Sequence, residues 1–348
     1  MSQWAVVAAC GPADDEIRRV ADLLESVFHH EPDTQYAAII DSGDDDRELH
    51  KRFAHPDTCK LVAIRNRKSG WAGGQWGPLC VGILGAYEWV ATQTDADFVV
   101  KFDSDALVIA PFARQIDSAM LAHPSAAIFG AYKLDCNGQP RGFNGWAGFT
   151  DRLQKRALFQ YEPKRFGRRF PVAIWGRPAG MRRHIMDATR AGYEPGEHVS
   201  GGAYAATRSL LDGMLERNYF AERHCWADSA MSEDVMMGIY ARACGFTIAG
   251  FAADGETFGV KHVGLPDTPQ RMLERGYSVI HSLKNDARFT EEQIRAFYRE
   301  HRLTGAMPTL VPAATVAMPP QVEAAPVAST KPAADVDAED LDELALGF

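Results

Sequence analysis

Residues Lys101-Phe102-Asp103-Ser104-Asp105 follow directly on the apolar run Phe98-Val99-Val100. In an extended chain, side chains two positions apart share a face, so Asp103 and Asp105 present their carboxylates together. Two oxygen donors at the end of a buried strand suit a hard divalent cation that keeps open positions for phosphate. Acidic pairs also cap turns, so the pair alone leaves both readings open. Three later segments add further chemistry. In His198-Val199-Ser200-Gly201-Gly202-Ala203-Tyr204 the missing side chains of Gly201 and Gly202 let a ligand reach the backbone, although glycines also mark bulges. Ser232-Glu233-Asp234-Val235 opens a helical pattern with Ser232 as N-cap, where acids are stabilised by the macrodipole whatever else they do. Lys261-His262-Val263-Gly264 closes a weakly apolar stretch with one imidazole.

The elements that must position these residues come from hydrophobic periodicity. Trp4 to Cys10, Tyr36 to Asp41, Lys60 to Arg65 and Asp97 to Asp103 read as strands, with Ala126 to Ala131 as another candidate. Ile17, Val20, Leu23, Leu24 and Val27 fall at helical spacing, as do Leu79, Ile83, Ala86 and Val90. Strand and helix in alternation predict an α/β fold with a mostly parallel, Rossmann-like sheet and helices on both faces. Ligands of such sheets bind beyond the carboxyl ends of the strands. There the chain offers Cys10-Gly11-Pro12, Asp41-Ser42-Gly43-Asp44, Arg65-Asn66-Arg67 and the Asp103/Asp105 pair, a row that a nucleotide could span and that turns would also require. The loop Gly70 to Gly77, with Trp71 and Trp76, either stacks a base or bends tightly before its helix.

An apolar fraction of 46% over 348 residues is ample for a sizeable core. The formal net charge is -9, but from Gly305 onward there is one Lys against seven acids, which leaves -3 on everything before it. So near-neutral a body argues against a nucleic-acid binder. The six cysteines show no short-spaced pair, which favours free thiols. The Trp4 to Ala9 run has no basic leader and meets Asp14, Asp15 and Glu16, so neither a signal peptide nor a membrane anchor is expected and the expected location is cytoplasmic. Residues 146–183 hold ten Arg or Lys against two acids, with interleaved aromatics, and read either as an insertion for an anionic group or as a solvated loop. The Ala/Pro-rich stretch from Gly305 to Pro332 predicts a linker, and the acidic end beyond it a disordered tail that could also dock a protein partner.

The order of these segments resembles the beta-1,3-galactosyltransferase and N-acetylglucosaminyltransferase group, related to the fringe enzymes, in the A-type glycosyltransferase fold. Lys101-Phe102-Asp103-Ser104-Asp105 is similar to its Lys-x-Asp-x-Asp signature. Ser200-Gly201-Gly202-Ala203-Tyr204 is similar to its glycine-rich strand, and Glu233-Asp234-Val235 with Gly238 to its Glu-Asp-Val-x-x-Gly helix start. The resemblance covers Val99 to Gly264 well and the first strands by pattern only. The membrane anchor and luminal cysteines of the animal enzymes are missing, and residues 146–183 have no counterpart.

The resemblance implies a metal-dependent, inverting transfer of a hexose from a UDP-sugar to a hydroxyl on a glycan, lipid-linked or protein acceptor. It implies Mn2+ or Mg2+ held by Asp103, Asp105 and His262, and a donor contacted by Asp41, Arg65, Lys101, Asp103, Ser104, Gly201 and Gly202. Asp234 is the expected base, with Glu233 as the fallback. Residues 1–304 would form the transferase domain, with a nucleotide-sugar half (1–131), the basic insertion (146–183) and an acceptor half (198–304), followed by the tail (305–348). A haloacid-dehalogenase phosphatase fits poorly, since its Asp-x-Asp ends the first core strand, and a nucleotidyltransferase would need a better phosphate loop after that strand. A non-catalytic protein of the same fold, docking through its tail, is the alternative.

Overall fold

The computed structural model describes residues 2–43, 47–66, 77–143, 147, 150, 159–161, 171–173, 177–227, 229 and 231–310. The tryptophan pair Trp71 and Trp76, most of the 146–183 segment and the tail beyond Leu310 lie outside the described residues. In the first half, strands β1 (Trp4–Cys10), β2 (Tyr36–Asp41), β3 (Lys60–Arg65), β4 (Phe98–Phe102), β5 (Leu107–Val108) and β6 (Ala126–Gly130) alternate with helices α1 (Asp14–His30), α2 (Leu49–Arg52), α3 (Gly77–Gln93) and α4 (Ala113–Ala122). The second half holds β7 (Phe159–Tyr161), β8 (Pro171–Ala173), α5 (Arg177–Arg190), β9 (Ala203–Thr207), α6 (Arg208–Glu216), α7 (Glu233–Ala243), β10 (Thr247–Gly250), β11 (Phe258–Val260), α8 (Pro269–Glu274), β12 (Val279–His281) and α9 (Glu291–Thr304).

Seven strands form the main sheet in the order β10-β6-β9-β4-β1-β2-β3. Every pairing is parallel except the two made by β9, which runs against both β4 and β6. The fold is thus of the expected α/β class. Buried parallel strands are hydrophobic on both faces, and β1 shows why: Ala5 and Val7 join the core under α3 and α7, whereas Trp4, Val6 and Ala8 join the core under α1 and α4. Phe98, Val99, Val100 and Phe102 of β4 are fully buried, each stabilising the fold by roughly 1.5–3 kcal/mol. Helix α1 turns Val20, Leu23, Leu24 and Val27 inward and carries acids in its first turn, where the helix dipole favours them.

A second sheet, β11-β12-β5, lies beside the first, with β11 and β12 parallel and β5 antiparallel to β12. Helix α9 begins with a capping box between Thr290 and Gln293 and ends at Gly305, whose φ of 70° only a residue tolerant of the left-handed region takes easily. It is tied to α1 by Arg295, which donates to Asp22 at 2.8 Å and to the carbonyl of Ser104 at 3.1 Å. His184 of α5 is buried, with Nε2 2.9 Å from Glu222 and Nδ1 3.1 Å from the Tyr240 hydroxyl. All six cysteines are free. Among the described residues no helix is long and apolar enough to cross a membrane.

Candidate active site

The carboxyl ends of β1, β2 and β3 are in register, Cys10 beside Asp41 and Asp41 beside Arg65, and β4 ends at the same edge. Asp41 is buried there, and its Oδ1 accepts from the Gly43 amide at 3.0 Å and from Arg47 Nε at 2.8 Å. Arg65 is exposed at the end of β3.

Past β4 the chain turns, with the Asp103 amide donating to Gly202 O at 2.9 Å and the Ala106 amide to Asp103 O at 3.1 Å. This turn brings Asp103 and Asp105 against His281, so that one ligand atom from each lies within 4.8 Å of the others. His281 Nε2 is 3.3 Å from Asp105 Oδ1 and 3.6 Å from Asp103 Oδ2. Each side chain is anchored by its other polar atom. Asp103 Oδ1 accepts from Lys101 Nζ at 2.5 Å, and Asp105 Oδ2 from Ser282 Oγ at 2.6 Å. His281 Nδ1 is 2.8 Å from the Lys261 carbonyl, which can only accept, so the ring hydrogen sits there and Nε2 faces the carboxylates. Partners that fix ligands from behind are the usual support of a metal centre. The donor set of two carboxylates and an imidazole fits a divalent cation, manganese rather better than calcium.

The third member is a correction. His262 was expected as the imidazole ligand, but it lies exposed just past β11 and is not part of the group. The strands explain the exchange: Val260 and His281 are partners across β11 and β12, so the edge position facing Asp105 belongs to β12, while His262 has already left the sheet. The local clue was Val279-Ile280-His281, a short apolar run ending in an imidazole. Burial by itself would raise the carboxyl of Asp105, but His281, helped by Lys284 and Ser282, outweighs it and holds the group well below the usual carboxylate range. Burial likewise opposes charge on His281, yet Asp105 and then Asp103 bring its imidazole above the ordinary histidine value. Lys284 Nζ stands 3.7 Å from Asp105 and 3.2 Å from Glu16.

Gly201 and Gly202 separate this group from the start of α7. A β-carbon on Gly202 would lie 2.2 Å from His281 Nδ1, and one on Gly201 would lie 2.8 Å from Asp234 Oδ2 and 3.0 Å from Glu233 Oε1. The groups that close on these glycines are the protein's own side chains. Two expectations change. Lys101 is fully buried, its ammonium shared among Asp103, Gly201 O at 2.6 Å and Glu233 Oε1 at 2.6 Å, which leaves no hydrogen for a nucleotide. Ser104 turns its hydroxyl away to Glu16 on α1.

At the head of α7, Ser232 occupies the N-cap position, but its hydroxyl bonds Asp234 in place of a backbone amide. Asp234 Oδ1 also accepts from the Val235 amide at 2.8 Å, while Oδ2 stands 4.0 Å from His198 Nε2. His198 is itself fixed by Gly196 O on Nδ1 at 2.7 Å and by Arg141 Nη2 on Nε2 at 3.2 Å. Glu233 is buried on Lys101. Burial pushes its carboxyl up, and Lys101 only partly opposes this, since Asp234 and Asp103 add negative charge nearby. Burial would lower Lys101, but the charges of Asp103 and Glu233 prevail and keep it ionised.

No protein-family model matches this chain, and no curated protein matches it. Among solved structures, the apo form of the WbbM bifunctional glycosyltransferase is similar over 84% of this chain and 48% of its own, at 17% identity and a TM-score of 0.43. An active-site mutant of LgtC is similar over 79% of this chain and 85% of its own, at 13% identity and a TM-score of 0.42. The galactosyltransferase LgtC in complex with donor and acceptor sugar analogues covers 88% and 85% respectively, at 13% identity and a TM-score of 0.40. This chain thus spans about half the length of WbbM. Likenesses this distant assign neither a family nor a reaction.

Proposed function

We propose that the protein is a metal-dependent glycosyltransferase that moves a hexose from a UDP-sugar to an acceptor hydroxyl with inversion. The observation that carries this reading is the group of Asp103 Oδ2, Asp105 Oδ1 and His281 Nε2, each oriented by a second hydrogen bond, at the carboxyl edge of a mostly parallel sheet. Asp103, Asp105 and His281 would hold Mn2+ or Mg2+, which when bound supplies Lewis-acid neutralisation of the departing diphosphate. Lys284 adds a positive charge at the same place. Asp41 and Arg65 stand side by side at the ends of β2 and β3, the edge where the nucleoside end would lie.

The acceptor hydroxyl must lose its proton as the new bond forms. Asp234 is the base in this scheme, because its Oδ2 faces the Gly201 gap while Glu233 is committed to Lys101. Asp234 is separated from the cation group by the two glycines. The acceptor is a hydroxyl of a glycan, a lipid-linked sugar or a protein.

Thermal unfolding of the full chain against a panel of nucleotide sugars, with and without Mn2+, tests the proposal. A UDP-sugar that raises Tm only when Mn2+ is present, and that the protein slowly hydrolyses, is the expected result. A chain indifferent to every donor and to Mn2+ would end this reading.

A further inference from the structure

Lys101 stands in β4 among Phe98, Val99, Val100 and Phe102, and like them it is completely buried. A buried ammonium is tolerated only when its hydrogens are matched, and here they are matched one to one by Asp103 Oδ1, Gly201 O and Glu233 Oε1, all at 2.5–2.6 Å. These acceptors come from three distant parts of the chain: the turn after β4, the approach to β9, and the first residue of α7. Packing of the sheet does not call for this charge, since an apolar side chain of similar length would fill the same strand position. What the charge does is local. It occupies one oxygen of Asp103 and leaves the other, Oδ2, pointing at His281.

Resting on the reading that Asp103, Asp105 and His281 hold a divalent cation, we propose that Lys101 is a positioning residue of the reaction. It aims Asp103 Oδ2 at the cation and, through Glu233, sets the head of α7 with Asp234 at a fixed separation from it. The contrary account is that Lys101 only neutralises the buried Glu233.

Mn2+ titrations of the full-length protein, followed by the electron paramagnetic resonance of free Mn2+, separate the two accounts. Lys101→Met leaves Glu233 buried without its partner and is destabilised for that reason alone, so the decisive variant is the double Lys101→Met/Glu233→Gln, which removes both charges. It is expected to unfold cooperatively near the wild-type temperature while binding Mn2+ about 10- to 100-fold more weakly. Glu233→Gln alone, which keeps Lys101 on Asp103, is expected to bind Mn2+ as the wild type does. Wild-type affinity in the double variant would overturn the proposal, as would a Glu233→Gln protein that loses Mn2+ as completely as the double. Failure of the wild type itself to bind Mn2+ would instead remove the cation reading, and the role of Lys101 with it.

Discussion

His281 lies so close to Gly202 that a β-carbon there would sit 2.2 Å from Nδ1 and 2.3 Å from Cγ of the ring. That same Nδ1 is held by Lys261 O at 2.8 Å, so the ring cannot yield to a β-carbon without giving up this bond and its place against the two carboxylates. Gly202→Ala should therefore displace His281 while leaving the sheet intact. The expected loss of Mn2+ affinity is about 10- to 100-fold, read by titration, with a cooperative melt retained.

The two histidines at the ends of β11 and β12 make opposite predictions. His281→Ala should weaken Mn2+ binding by at least about tenfold and abolish metal-dependent transfer. His262→Ala should leave both near wild type, because its ring is exposed and outside the group. Equal effects of the two substitutions would contradict the geometry.

Asp234→Asn keeps the size of the side chain and removes its ability to take a proton. A fall in kcat of about 10²- to 10⁴-fold is expected, with Mn2+ and donor binding preserved, as measured by thermal shift. Undiminished turnover would exclude Asp234 as the base.

Acid stability should depend on His184. Burial, with the charge of Arg183, pushes its pKa down to about 3, below the ordinary 6.5 of an unfolded chain. Because the folded state resists the proton that the unfolded state accepts, the stabilisation is complete above about pH 6.5 and is lost as pH falls toward 3. At pH 4.5 this amounts to on the order of 2 kcal/mol. Melting curves between pH 7 and 4.5 should fall less steeply for His184→Gln than for wild type, and parallel curves would show that another group dominates.

The strands β1, β2 and β3 were legible to the residue in the sequence, because an apolar run bounded by Gly, Asp or Asn reports a buried strand through local chemistry alone. Asp103 and Asp105 were legible for the same reason. The direction of β9 was not, since a five-residue apolar strand fits either way and its neighbours β4 and β6 decide. Lys101 reads as a contact to the donor until Glu233, 132 positions later, is folded onto it. His281 was passed over because β12 has only three residues, too few for a periodicity, and its place depends on pairing with β11 and β5.

Arg295 reaches from α9 to the carbonyl of Ser104, the residue between Asp103 and Asp105. A chain made from its N-terminus can assemble the large sheet through β10 well before Arg295 has been synthesised. The acidic turn is thus braced by a helix made after the sheet, so a nascent chain with a finished sheet would hold Asp103 and Asp105 less firmly until α9 is in place.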